Sequence, residues 1–358
     1  MARFRPVDRR RGGFWGFFSL LIGLGIIVAA AALVAVFAFN AEATRAGPAQ
    51  ADAAFTVERG QSAAAIGSAL ESQGLIRDAL LFRIATRAFA QGQSLQAGEY
   101  EIEAGASLRD IVRKMAEGDV IDHSITFAEG ITISGVMRII GESEYLTGDL
   151  PEAPPEGSIL PETYHVARGM TRAALLQQMR DARDAALAEI WEGRQPNLPI
   201  TTPEELVTLA SIVERETGVA AERPLVAAAF VNRLRRPMRL ESDPTIIYGV
   251  CRQFPTRCRD GRLIDAQGNP RVIRASEIAL RNPYNTYQID RLPPTPIANP
   301  GRAALEATAN PADSNAIFFV ADGSGGHAFA ATLAEHNANV ARWRQIEAQR
   351  LAAERAGR

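Results

Sequence analysis

Residues 209–218 read LASIVERETG, and they set two carboxylates, Glu214 and Glu216, on a helix otherwise built for burial. The helix carries a full start signal. Thr202 stands at the N-cap, Pro203 at the first helical position and Glu205 three residues after the cap, the pattern of a capping box. Leu206, Leu209, Ala210 and Val213 then recur at the spacing of one helical face, so the carboxylates lie beside apolar surface. Desolvation disfavours a carboxylate anion, and an acid that stays protonated near neutral pH can act as a general acid. The same pattern also describes two surface glutamates flanking Arg215. Glu214 continues the line of Val207 and Ala210, and Glu216 that of Leu209 and Ile212, so helical geometry leaves both able to point inward.

Toward the N-terminus, Phe14 to Phe39 is a run of 26 residues without a charge. As a helix it is about 39 Å long against a hydrocarbon core of about 30 Å, which predicts a transmembrane helix over 14–39. It exceeds the roughly 7–15 residues of a signal-peptide core, so the Ala-rich exit at Ala41 to Ala43 reads as the end of an uncleaved anchor. Arg3, Arg5, Arg9, Arg10 and Arg11 precede it and only Glu42 and Arg45 follow closely, which predicts a cytoplasmic N-terminus over 1–13. The rest of the chain is then expected outside. Residues 40–53 read as a flexible tether.

The net charge of −2 and 22% charged residues give no sign of a nucleic-acid partner. Two cysteines occur, Cys251 and Cys258, in CRQFPTRC. Outside the cytoplasm a disulfide between them is the expected state. Two cysteines without a nearby histidine make half a zinc ligand set, and the histidines are scattered at 123, 165, 327 and 336, so no metal site and no cofactor are expected.

A short pattern recurs four times: Gly60-Gln61-Ser62 leading to Ile66, Gly105-Ala106-Ser107 to Ile111, Gly130-Ile131-Thr132 to Val136, and Gly169-Met170-Thr171 to Leu175. Glycine turning out of a strand and a hydroxyl capping the next helix account for it, and the irregular spacing excludes a solenoid. The first two copies bracket a unit over 54–120 that reads strand, helix, helix, strand, helix. That layout resembles a LysM module, a peptidoglycan-binding fold. A larger mixed α+β domain follows over 121–345, with a loop at Pro237 to Thr245, an exposed hairpin at Asp260 to Pro270, and a helix opened by Asn299-Pro300-Gly301 on the cap-then-proline rule. A helical tail closes the chain over 346–358. The fold class is α+β.

Five segments of the larger domain carry residues that packing does not require. They are Glu156-Gly157 with Leu160-Pro161-Glu162-Thr163-Tyr164; the 203–218 helix; Asn232-Arg233-Leu234 with Ser242-Asp243-Pro244-Thr245; Tyr284-Asn285-Thr286-Tyr287; and Gly326-His327-Ala328-Phe329. In this order they resemble the endolytic murein transglycosylases of the membrane-anchored type called MltG or YceG-like, from about residue 55 to 340. The resemblance implies that Glu214, the first glutamate of Ile-Val-Glu-x-Glu-Thr, is the catalytic residue. It implies a lytic reaction on peptidoglycan in which one carboxyl serves twice, as acid and then as base, to leave a 1,6-anhydro end. It also implies a bacterial inner membrane, a periplasmic catalytic domain, and cutting of nascent glycan beside peptidoglycan synthases.

Glu216, Asn232, Asp243, Thr245, Tyr284, Asn285, Thr286, Tyr287 and His327 are then candidates for substrate contact. Each has a plain structural alternative: Asp243 as a helix cap, the tyrosines and Asn285-Thr286 as a loop clasp, Asn232 as a partner of carbonyls. Glu156 and Glu162 are fallback acids. The chain departs from the family pattern at Arg291 and Thr295, where glycine is general, and at Ile131, where an aromatic is common. Two other functions fit the same residues: a non-catalytic peptidoglycan-binding scaffold, and a muramidase that activates water with a second carboxylate, Glu216 or Asp243.

Overall fold

In the computed structural model, which describes residues 13–356, the chain divides into two units, one up to Asp122 together with Ala167–Gly169 and one made of the remainder. Arg3, Arg5, Arg9, Arg10 and Arg11, on which the expected orientation rests, lie outside the described residues, as do positions 357 and 358 of the expected tail.

The first unit begins with α1 (Gly13–Thr44), among the described residues the one helix long and apolar enough to cross a membrane. It runs past Phe39 into the stretch expected as tether, and the residues after it are held rather than loose. Gly47 N–H donates to Gly105 O at 2.9 Å, Gly105 N–H to Ala49 O at 2.9 Å, and Arg77 Nη2 to Ala46 O at 2.8 Å. There follow β1 (Ala53–Val57), α2 (Ala63–Ser72), α3 (Ala79–Phe89), β2 (Gly98–Ile102) and α4 (Leu108–Glu117). The two strands pair antiparallel with Phe55 opposite Tyr100, and both side chains are buried with Ile66, Phe82, Ile111 and Met115. Period-2 burial on the strands and 3.6-period burial on the helices thus meet in one core.

The second unit starts within β3 (Asp122–Thr126) and continues through capped helix α5 (Ile133–Glu142) and β4 (Leu146–Thr147). After a proline-rich loop come β5 (Thr163–Ala167), β6 (Met170–Thr171) and the long α6 (Arg172–Glu192). β3 pairs with β5, and β4 with β6. Then follow α7 (Pro203–Glu216), α8 (Arg223–Leu234) and α9 (Asp243–Gln253). A hairpin of β7 (Cys258–Arg259) and β8 (Arg262–Leu263) leads to the single turn α10 (Ala275–Ile278), then α11 (Arg302–Ala309). The antiparallel pair β9 (Phe318–Ala321) and β10 (His327–Ala330) precedes α12 (Leu333–Ala356).

α7 is the axis of this unit. Every residue from Leu206 to Val213 is buried, against Ile190 of α6, Phe230 of α8 and Leu305 of α11. A helix enclosed on all sides must satisfy its own hydroxyls, and Thr208 and Ser211 donate to Glu204 O and Thr208 O at 2.8 and 2.7 Å. At its head Thr202 Oγ1 accepts from Glu205 N–H at 3.2 Å, while the Glu205 carboxylate reaches back to Thr201 N–H rather than to the N-cap's own N–H.

All four glycine-hydroxyl copies are turns and caps. Gly60, Gly105, Gly130 and Gly169 have φ between 72° and 89°, and Ser62, Ser107, Thr132 and Thr171 each accept from the backbone N–H three residues on. Two local expectations need correction. The stretch Pro237 to Thr245 is not all loop, because α9 starts at Asp243 with Ser242, not Asp243, in the N-cap place. Asn299 does not cap α11. Gly301 does, because Asn299 is fully buried and its amide is already engaged elsewhere.

Candidate active site

At the C-terminal end of α7 the buried stripe runs out and Glu214 turns its carboxyl into a nest of named partners. Its side chain is 4% exposed. Gly301 N–H, at the head of α11, donates to Oε2 at 2.9 Å, and Arg223 Nη2, from the first turn of α8, donates to Oε1 at 3.2 Å. The same guanidinium nitrogen holds Glu129 Oε2 at 2.8 Å. Burial raises the pKa of Glu214 and the nearby charge of Glu129 adds to it, while the Gly301 N–H and Arg223 oppose the rise without cancelling it. The result is a carboxyl that can hold a proton above the usual range yet has a donor and a cation ready for its anion.

Backbone freedom makes this approach possible. Gly130, with φ +74°, lies so close that a Cβ there would stand 3.3 Å from Glu214 Cγ and 3.2 Å from Arg215 Cδ. Arg215 Nη1 in turn donates to Gly130 O at 3.3 Å.

Asn299 and Gly301 link this acid to a second one. Asn299 Nδ2 donates to Ile131 O at 2.9 Å and to Glu156 Oε2 at 3.2 Å, Asn299 Oδ1 accepts from Gly157 N–H at 2.9 Å, and two residues on Gly301 meets Glu214. Ile133 N–H also donates to Glu156 Oε2, at 2.9 Å. Burial pushes the Glu156 carboxyl up to about 7, against these donors and the Arg252 charge.

Two open clefts border these residues. One, of about 460 Å³, is lined by Glu156, Tyr248, Arg252, Thr132 and the hairpin tip Asp260-Gly261. The other, of about 430 Å³, is lined by Glu129, Gly130, Arg215, Arg259 and Arg262. Asp260 belongs to both, so the β7–β8 hairpin stands between them. Asp260 and Gly261 have φ of +48° and +71°, as a tight primed turn requires, and Arg138 Nε holds Asp260 Oδ1 at 3.2 Å. The base of the hairpin is closed by a disulfide between Cys251 and Cys258.

Glu216 sits apart from Glu214, among Ser242, Asp243, Arg233 and His327. Burial pushes its carboxyl up to about 7, and the charge of Asp243 adds to the rise. The structure places most other sequence candidates in the frame rather than on a cleft. Asn232 Nδ2 donates to Ser314 O and Ala316 O at 2.7 and 3.0 Å. Thr245 and Thr286, both fully buried, share a hydroxyl contact of 2.8 Å, and Asn285, also fully buried, donates to Ile278 O and Leu280 O. Tyr284 is buried with its hydroxyl 2.9 Å from Thr295 Oγ1. Tyr287 donates to Asp243 Oδ1 at 2.8 Å, and His327 Nδ1 meets Glu222 Oε2 at 2.8 Å. These polar groups are satisfied within the fold, which is why their residue types recur as a clasp. Glu162 is exposed and directly precedes β5.

Sequence reasoning passed over Glu129, Arg223 and Glu222. Glu129 directly precedes the third glycine-hydroxyl copy, and reading that copy only as a cap hid the carboxylate beside it. Among the described residues no group of three or more His, Cys, Asp or Glu is arranged to hold a metal ion.

Comparison with known proteins places these residues inside one long match. The model of the YceG-like family matches residues 55–342. An endolytic murein transglycosylase of Streptococcus pneumoniae is 27% identical over 333 residues, covering 80% of this chain and 57% of that protein. One of Bacillus subtilis is 26% identical over 312 residues, covering 78% of this chain and 82% of its own length. The chain thus spans little more than half of the pneumococcal relative. A crystal structure of a yceG-like protein from Listeria monocytogenes aligns with 81% of this chain and 99% of its own, at 24% identity and a TM-score of 0.47.

Proposed function

This chain belongs to the YceG-like family, and on that premise we propose that it is a membrane-anchored lytic transglycosylase of peptidoglycan with Glu214 as its acid and base. The observation that carries the proposal is the state of that one carboxyl: desolvated at the end of α7, its pKa raised by burial, and furnished with Gly301 N–H and Arg223 for its anion. Protonated Glu214 gives its proton to the glycosidic oxygen as the C1–O bond of muramic acid breaks. The carboxylate left behind takes the proton of the C6 hydroxyl while that oxygen closes on C1. Water is not consumed, the product is a 1,6-anhydro end, and Glu214 returns to its starting form.

The apolar α1 supports a single-pass anchor. We place the folded units on the periplasmic side of a bacterial inner membrane, where the site would meet newly made glycan and limit its chain length beside the synthases. The β-α-α-β layout of residues 53–102 supports its reading as a LysM-like glycan grip. A hydrolytic reading is favoured by one observation, the second carboxylate Glu129 on the same guanidinium as Glu214, since hydrolysis uses an acid and a base.

The test is mass spectrometry of peptidoglycan digested with the full chain in detergent and with Glu214→Gln. Products lighter than hydrolytic ones by one water, absent with the variant, support the lytic reaction. Reducing ends point to the hydrolase, and uncut glycan retained by the protein points to a scaffold.

A further inference from the structure

The cleft of about 430 Å³ beside Glu129 and Gly130 carries three guanidinium groups, of Arg215, Arg259 and Arg262. Among the described residues none of the three has an ion-pair partner. The two acids on the same walls are each engaged by other cations, Asp260 by Arg138 at 3.2 Å, which also holds Glu142, and Glu129 by Arg223 at 2.8 Å, which also holds Glu214. Arg215 is partly buried, and desolvation and the like charge of Arg262 work against its own charge, with Glu214 opposing them in part. Arg259 is set over the following turn, its Nη2 near enough to Gly268 to stand 3.6 Å from a Cβ placed there. Cations gathered in a concave site with no ion pair of their own repel one another, and a bound anion relieves that repulsion. Guanidinium forks match carboxylate and phosphate oxygens in pairs.

We propose that this cleft binds an anionic group, a carboxylate or a phosphate, carried by the glycan strand on which Glu214 acts, with Arg259 and Arg262 as its determinants. The identity of the strand rests on the function proposed above; the anion site itself does not. In a peptidoglycan strand the carboxylates belong to the peptide stems, or to the lactyl group of muramic acid once a stem is removed, and a phosphate belongs to the lipid-linked end of a strand still being made. Because Gly130 abuts Glu214 and also lines the cleft, an anion held there fixes the sugar register at the acid. Binding energy gained away from the scissile bond then orients it.

The experiment uses the full chain in detergent, as wild type and as Arg259→Gln with Arg262→Gln, two exposed side chains whose replacement leaves the core untouched. Cleavage kinetics are measured on strands bearing peptides, on strands stripped of them with the exposed lactyl carboxyls converted to amides, and on lipid-linked strands with and without their pyrophosphate. Loss of two charge-assisted contacts is expected to raise KM about tenfold or more, with the effect on KM rather than kcat and fading as salt is added. The wild-type advantage is expected to collapse on strands lacking the recognised anion: the peptide-stripped strand if it is a carboxylate, the pyrophosphate-free strand if it is a phosphate. Calorimetric titration with a free stem tetrapeptide and with inorganic pyrophosphate gives a readout independent of cleavage. Binding of either by the wild type and not by the double variant supports the site even if the protein cuts nothing, which would sink the proposed reaction alone. Normal cleavage with equal KM for both proteins on every strand, and no binding of either probe, would overturn the site and leave the reaction standing.

Discussion

Glu129 and Glu214 are joined through one atom: Arg223 Nη2 lies 2.8 Å from Glu129 Oε2 and 3.2 Å from Glu214 Oε1. Burial and the neighbouring charge of Glu129 raise the Glu214 pKa against Gly301 N–H and Arg223, and the Glu214 side chain is 4% exposed against 41% for Glu129. The protonation state needed for an acid is thus built by three residues from three segments of the chain.

Glu129→Gln removes the like charge that raises the Glu214 pKa, so the alkaline limb of the cleavage profile moves to lower pH. Arg223→Gln removes a charge and a hydrogen bond that lower it, so the limb moves to higher pH. The sign follows from the role proposed for Glu214: the reactive form is protonated and is lost as pH rises through the pKa. Glu214→Gln itself is expected to cost about 10²–10⁴-fold in rate. Rate profiles of the three variants check the order, and equal limbs for Glu129→Gln and wild type would disprove the coupling.

Gly130→Ala tests the approach of the 128–133 loop to the acid. A side chain at φ +74° is strained by roughly 1–2 kcal/mol, and its Cβ would press on Glu214 Cγ at 3.3 Å. The expected result is a loss of about 1–3 kcal/mol in thermal or denaturant stability together with a drop in kcat larger than that loss of folded protein explains. Gly74→Ala, at φ +71° with open space around it, is the control, with strain but no loss of rate.

The local grammar of this chain was readable because its elements follow short-range rules. Ser62, Ser107, Thr132 and Thr171 cap helices, Gly60 and its counterparts turn the chain, and α7 starts at Pro203, all set by residues within a turn of one another. The shape of the site was not readable in the same way. Arg223 meets Glu214 from 9 residues away in the chain and Glu129 meets Arg223 from 94 away, and only packing brings them together. The candidates that the fold uses as frame, Thr245, Asn285 and Thr286, look like binding residues in sequence because buried polar clasps and ligand sites draw on the same side chains. Asn299 shows the converse: the cap-then-proline pattern is local, and a buried need for its amide at Ile131 and Glu156 overrode it. The position of Arg291 also has a reason, since its φ of +63° is a conformation that glycine adopts without strain.

Glu216 predicts how stability depends on pH. Its carboxyl is moved by burial from an ordinary 4.5 to about 7 in the folded chain. A raised folded pKa means that the folded state keeps its proton longer than the unfolded one. The resulting stabilisation is full below pH 4.5 and is lost as pH rises to about 7. It amounts to on the order of 3 kcal/mol. Glu216→Gln cannot titrate, so its denaturant midpoint should fall less than that of the wild type between pH 4.5 and 7.5. Parallel curves for the two proteins would show that folding does not raise the Glu216 pKa.

The Cys251–Cys258 disulfide predicts a local rather than a global dependence on redox state. It spans seven residues of sequence and fastens the foot of the β7–β8 hairpin to α9, where the core is the small cluster of Ile246, Val250 and Leu263. Closing a loop of this length stabilises a fold by about 2 kcal/mol in the chain-entropy account. The large core around α7 does not include these residues, so reduction should loosen the hairpin without unfolding α7. Hydrogen exchange after treatment with a thiol reductant is expected to quicken across 258–264 while Leu206 to Val213 stay protected. Since Arg259 and Arg262 ride on that hairpin, KM should rise with the same treatment, and Cys251→Ala with Cys258→Ala should reproduce both effects and no longer respond to reductant. Uniform loss of protection across α7 would mean instead that the disulfide supports the whole unit.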